Sequence, residues 1–87
     1  MSETGDPAPE QTPVELDLMG LKCPLPALRT RKALAALPVG VRLVVTCTDP
    51  MAVIDIPHAA HETGAMLESR TVEDGRLTFT LRKVRLT

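Results

Sequence analysis

The sequence is poor in aromatic residues: Phe79 stands alone, and there is no Trp or Tyr among 87 residues. Single-stranded nucleic acid is held largely by stacking bases on aromatic faces, so direct nucleic-acid binding has little to be built from here. Charge points the same way. The net charge is −1, and the first thirteen residues hold Glu3, Asp6 and Glu10 with no Lys or Arg. Without that segment the remainder carries +2, too mild for a polyanion-binding surface. Long apolar runs are also missing, since Pro38, Arg42 and the charged turns interrupt every candidate span, and no membrane partner is expected. The N-terminus lacks the basic start and apolar centre of a secretory signal. The expectation is one small soluble, cytoplasmic domain.

Cysteine is scarce too, with only Cys23 and Cys47. Their spacing fits no zinc motif, and position 26, where Cys-x-x-Cys would place a second thiol, is Pro26. This argues against a dithiol oxidoreductase, which resolves its mixed disulfide with that second thiol. No cofactor or metal is expected. His58 and His61 stand at i and i+3, but no third ligand accompanies them, so they read as surface histidines.

What is present falls into alternating segments. Residues 1–13 are rich in Pro, Glu, Ser, Thr and Gly and read as a disordered acidic tail, leaving 14–87 as a single domain. Val14, Leu16 and Leu18 alternate with Glu15 and Asp17, the pattern of a strand with one buried face. A helix is predicted over 27–37, with Ala27, Thr30, Ala33, Leu34 and Leu37 on its inner flank and Pro38-Val39-Gly40 ending it. A second strand covers 41–47, with Leu43, Val45 and Cys47 inward. Asp49-Pro50 opens a turn. Asp55 is expected to cap a short second helix over 56–63, its inner face Ile56, Ala59, Ala60 and Thr63. Residues 65–72 and 76–84 form a hairpin. A three-residue loop with Gly75 left-handed sets Leu77, Phe79 and Leu81 opposite Thr71, Ser69 and Leu67, and this register is preferred because it gathers the apolar side chains on one face. The strand–helix–strand order implies parallel pairing with a right-handed crossover. The fold class is therefore α/β: a two-layer sandwich, β-α-β-α-β-β, a four-stranded mixed sheet with two helices on one face.

The chemistry centres on Leu21-Lys22-Cys23-Pro24-Leu25-Pro26, at the passage from first strand to first helix. Pro24 is expected as the first helical residue and Pro26 within the first turn, where neither missing N–H breaks a helical bond. Cys23 then sits in the cap position or beside it. Helix N-termini favour anions, and Lys22 adds a positive charge, so the Cys23 thiol is expected to titrate below a free thiol, with the Leu25 N–H capping the sulfur. The alternative, that Cys23 is a small buried hydrophobe, stands against this placement. Arg31 lies on the helix shoulder below Pro24, either as a solvated charge or as a contact for a partner. Cys47, on an inward face, reads as a core residue sooner than as a resolving thiol.

Gly20-Leu21-Lys22-Cys23-Pro24-Leu25-Pro26, Arg31-Lys32, Pro38-Val39-Gly40, Thr48-Asp49-Pro50 and Asp55-Ile56-Pro57, in that order, resemble the TusA/SirA family of small sulfur-carrier proteins. The resemblance runs from about Leu16 to about Lys83 and implies the same two-layer sandwich. It also implies a persulfide formed on Cys23, taken from a cysteine desulfurase or rhodanese-type sulfur donor and relayed to a downstream sulfur-acceptor protein. Such relays feed tRNA thiolation, molybdenum-cofactor assembly or dissimilatory sulfur metabolism. By position, Arg31 matches a basic residue associated with partner docking, and Asp49 and Asp55 match acidic positions facing the cysteine. The sequence departs from the best-known tRNA-thiolation members at Leu25, where they carry glutamate, and at Ile54, where they carry arginine. Two other readings accompany this one: a regulatory or RNA-binding module without thiol chemistry, and a redox sensor using Cys23 and Cys47.

Overall fold

Strand β2 (Arg42–Cys47) runs through the middle of a four-stranded sheet, flanked by β1 (Val14–Leu18) on one side and β4 (Arg76–Lys83) on the other. Strand β3 (Ala65–Glu73) closes the far edge, giving the order β1-β2-β4-β3. This computed structural model describes residues 13–85. The acidic tail assigned to 1–13 lies outside the described residues except for Pro13, as do Leu86 and Thr87. β1 and β2 pair in parallel, and the two remaining pairings are antiparallel. Helices α1 (Leu25–Ala36) and α2 (Ala52–Glu62) make the expected mixed α/β sandwich in the order β-α-β-α-β-β. No helix among the described residues is long and apolar enough to cross a membrane.

Period-two alternation puts the core where the sequence pattern places it. Leu43, Val45 and Cys47 of β2 stand beside Leu81, Phe79 and Leu77 of β4, and all six are buried. Leu34 from α1 and Ala52, Ile56 and Ala60 from α2 join the same cluster. Small side chains on α2 let its backbone lie close, while each large apolar residue contributes about 1.5–3 kcal/mol on burial. Lys83 is the buried charge among the described residues, and its Nζ donates to the Leu34 carbonyl at 2.6 Å. That carbonyl belongs to the last turn of α1, where a cation meets the negative end of the helix dipole.

Three local expectations need correction. First, α1 begins at Leu25 with Pro24 as its cap, one residue later than expected. The Leu25 N–H is taken by the Lys22 carbonyl at 2.8 Å, and the Pro24 carbonyl accepts the first helical bond, from Leu28. Second, α2 begins at Ala52, so Asp55 lies inside its first turn and is not a cap. Asp49 starts the helix instead: its carbonyl accepts from Ala52 N–H and its Oδ1 from Met51 N–H, at 2.9 and 3.1 Å.

Third, the hairpin turns on two residues, Asp74 and Gly75, both with positive φ, and Glu73 pairs with Arg76. Phe79 therefore faces Arg70, while Leu81 still faces Leu67. The two are reconciled by a bulge between Leu67 and Ser69, one extra residue that shifts the register halfway along. Gly64, between α2 and β3, has φ +77, and a Cβ there would lie 2.5 Å from the Arg85 carbonyl oxygen.

Candidate functional site

The carboxyl ends of the parallel strands β1 and β2 open on the same edge of the sheet, and the two loops leaving them are tied together. Gly20 N–H donates to Thr48 Oγ1 at 3.0 Å, and Cys23 N–H donates to Asp49 Oδ2. Gly20 holds φ +85, a left-handed conformation that glycine adopts without the steric cost a Cβ would bring. Met19 N–H closes back on Asp17 Oδ1 at 3.0 Å, and Leu21 N–H on the Leu18 carbonyl. The loop carrying the cysteine is thereby fastened at both ends.

These loops border a cleft of about 370 Å³ lined by Gly20, Leu21, Lys22, Cys23, Thr48, Asp49 and Pro50. An apolar groove of about 280 Å³ continues from Thr48 and Pro50 to Val53, Val72 and Leu77. Cys23 is exposed at this edge, as are Lys22, Pro24 and Leu25, whereas Pro26 turns inward and is buried. Leu25, Met51 and Ile54 add large apolar side chains that are 42%, 47% and 63% exposed.

The sulfur itself points to α2. Cys23 Sγ lies 3.4 Å from Asp55 Oδ2 and donates to it. This overturns the expectation that Leu25 N–H would cap the sulfur and that the thiol would be acidified. The hydrogen bond to Asp55 holds the Cys23 thiol above its ordinary value, aided by partial desolvation and by the negative charges of Asp55 and Asp49. Cys47 is fully buried in the core, and burial, with a lesser effect of Asp49, pushes its thiol up to about 11.

Lys22, Cys23, Asp49 and Asp55 are thus brought together, although 32 residues separate Cys23 from Asp55. Arg31 is not free: its guanidinium bonds Glu62 on α2 through Nε, at 3.0 Å, and through Nη2. Glu62 also accepts from His58 Nε2 at 3.2 Å. Among the described residues no group of three His, Cys, Asp or Glu side chains could hold a metal ion. Sequence reasoning missed Glu62 and the structural parts played by Gly20 and Thr48. Only the placement of α2 against α1 marks Glu62, and the left-handed glycine before the motif was the one local signal for Gly20.

Comparison with known proteins identifies the family. A family model described as Sulfurtransferase TusA matches residues 14–83. The chain is 44% identical over 69 residues to the sulfur carrier protein TusA of Allochromatium vinosum, covering 79% of this chain and 91% of that protein. It is 36% identical over 69 residues to the sulfur carrier protein TusA of Pseudomonas syringae, covering 79% and 82%. With the match running from β1 to β4 across the whole cysteine-bearing loop, the chain belongs to the TusA family.

Proposed function

We propose that this protein is a sulfur carrier that accepts sulfane sulfur as a persulfide on Cys23 and relays it to a partner protein. The observation that carries this reading is the setting of Cys23. It is an exposed thiol on a doubly fastened loop at the mouth of a cleft, with a carboxylate at its sulfur. A carrier needs its sulfur accessible to two partners in turn and held in one place between them. The TusA relatives, named as sulfur carrier proteins, support the same reading.

In this reading Lys22, Pro24, Leu25 and Pro26 shape the loop and the helix start around Cys23. Arg31, Asp49 and Asp55 belong to the face that meets partners. A cysteine desulfurase or a rhodanese-type protein supplies the sulfur, and an acceptor protein in tRNA thiolation, molybdenum-cofactor assembly or other sulfur metabolism receives it. The reducing cytoplasm suits a lone working thiol. A redox sensor pairing Cys23 with Cys47 is disfavoured by the full burial of Cys47. A nucleic-acid-binding module is disfavoured because Phe79 is fully buried and offers no stacking face.

The test is intact mass after incubation with a cysteine desulfurase and cysteine. One sulfur atom added to the wild type, and none to Cys23→Ser, is the expected result. No added sulfur with desulfurase or rhodanese donors would overturn the reading, and loss of two hydrogens through a Cys23–Cys47 disulfide would favour the sensor.

A further inference from the structure

Sulfur transfer between proteins is an exchange at sulfur, and it moves a proton as well as a sulfur atom. The attacking group must be a thiolate, and the sulfur that leaves must accept an electron pair. In the unloaded protein the Cys23 thiol is held as a hydrogen-bond donor, so its proton has to go somewhere when the sulfur attacks. Three charged groups lie about Cys23. Lys22 is beside it on its own loop and lines the same cleft, and the charges of Asp49, from the turn before α2, and Asp55, from the first turn of α2, act on the sulfur.

Two of them are unsuited to the task. An ammonium such as that of Lys22 donates and does not accept. Both carboxylate oxygens of Asp49 already hold backbone N–H groups, Oδ2 that of Cys23 and Oδ1 that of Met51. Asp55 is different. Its Oδ2 contacts Sγ, and among the described residues its carboxylate has no other hydrogen-bond donor. Farther along the same side of α2, His58 and Glu62 are engaged with each other and with Arg31, so they do not compete for the sulfur.

We propose that Asp55 is the acid–base residue of the carrier, taking the Cys23 proton as sulfur is loaded and returning one as sulfur is delivered. This rests on the carrier reading above. In loading, the Sγ–H bond breaks toward Asp55 Oδ2 while the freed pair forms a bond to the outer sulfur of the donor's persulfide. The donor's S–S bond breaks, its inner sulfur keeps the electron pair, and the proton passes from Asp55 to that sulfur. A thiol and a persulfide become a persulfide and a thiol, with no net oxidation or reduction. Delivery is the same exchange in reverse. The acceptor's thiol loses its proton to Asp55 and attacks the outer sulfur on Cys23, and Sγ leaves with its pair and takes the proton back. A basic thiol is a strong nucleophile but a poor leaving group, so the returned proton matters most in delivery.

The experiment uses the full chain and two reagents that place different demands on the sulfur. Cysteine persulfide loads Cys23 in a single turnover and requires proton transfer. Iodoacetamide alkylates it and needs only the thiolate, because iodide leaves without a proton. Asp55→Asn should slow loading by about a hundredfold or more, the range for losing an acid–base group. The same change should speed alkylation near neutral pH and move its pH midpoint down, because the carboxylate that holds the thiol protonated is gone. Asp55→Glu should recover part of the loading rate. If both rates rise, Asp55 merely suppresses the thiolate; if both fall equally, it is structural; if neither changes, it is idle. Each of those outcomes overturns the proposal. Should Asp55→Asn fail to fold, Asp55→Glu carries the test, its displaced carboxylate slowing loading more than alkylation. A wild type that cysteine persulfide does not load would overturn the carrier reading as well, whereas equal loading of wild type and variant overturns only the role of Asp55.

Discussion

The backbone N–H of Cys23 is held by the carboxylate of Asp49, 26 residues farther along the chain. The same side chain bonds Met51 N–H at 3.1 Å, and the Asp49 carbonyl bonds Ala52 N–H at 2.9 Å. One residue therefore starts α2 and anchors the cysteine loop. Asp49→Ala should cost on the order of 1 kcal/mol, the net worth of such bonds. Its specific signature is amide hydrogen exchange: Cys23 and Met51 should lose protection while the strands keep theirs. Unchanged exchange at Cys23 would show that the loop is held by its other ties alone.

The two thiols should differ in reactivity although both are raised above an ordinary thiol. Cys23 is exposed, whereas Cys47 is sealed in the core. Under native conditions iodoacetamide should label Cys23 well before Cys47, with the Cys23 rate still climbing at pH values where a free cysteine has levelled off. The sign follows from the contact: a carboxylate acceptor favours the protonated thiol, so its titration moves up. A midpoint below that of free cysteine would mean the Asp55 contact is not populated in solution.

That reversal shows what the sequence can and cannot carry. The strand, the proline-marked helix start and the exposure of Cys23 are local features, and alternation and proline geometry make them legible. So is the core face of Leu43, Val45, Cys47, Leu77, Phe79 and Leu81, because a period of two leaves little choice. The sign of the thiol shift depends on Asp55, 32 residues away on a helix whose start was misplaced by four positions. Reading Asp55 as a cap turned it toward the backbone, while in the fold it turns toward the sulfur. The hairpin failed for a related reason. The bulge between Leu67 and Ser69 satisfies both the Asp74-Gly75 turn and the apolar face, and no single-register reasoning contains it.

Acid sensitivity should reside partly on the open face of the sheet. Arg42 and Arg82 are direct cross-strand neighbours, an unfavourable like-charge pair, and Glu68 bridges them at 2.6 and 2.8 Å. The bond from Arg42, then that from Arg82, holds the Glu68 carboxyl below its ordinary value, against the opposing effect of desolvation. Its folded value is thus lower than its unfolded one. The stabilisation is present above the unfolded value and is lost as pH falls through the folded one. Glu68→Gln should lower the melting temperature slightly at neutral pH, the equivalent of roughly 0.2–1 kcal/mol for half-exposed pairs. The acid limb of the melting profile should become shallower in the variant. Parallel profiles for both proteins would assign the acid limb to other carboxylates.

Arg31 offers the sharpest separation of structure from docking, because its guanidinium is committed to Glu62 in the free protein. The hydrogen bond from Arg31 lowers the Glu62 carboxyl, so the pair is intact at neutral pH. Arg31→Ala and Glu62→Gln break the same contact from opposite ends and should shift the melting temperature by similar small amounts. Their effects on function should diverge if Arg31 meets the sulfur donor. Arg31→Ala removes the cation that a donor's acidic surface would engage, and should slow loading from a cysteine desulfurase several-fold through slower association. Glu62→Gln leaves that cation in place and releases it, so loading should hold or quicken. Loading from free cysteine persulfide needs no docking and should be unchanged in both variants. Equal slowing with the desulfurase would instead mean that the pair serves to hold α1 against α2, and that partners read the position of Cys23 between those helices and not the charge of Arg31.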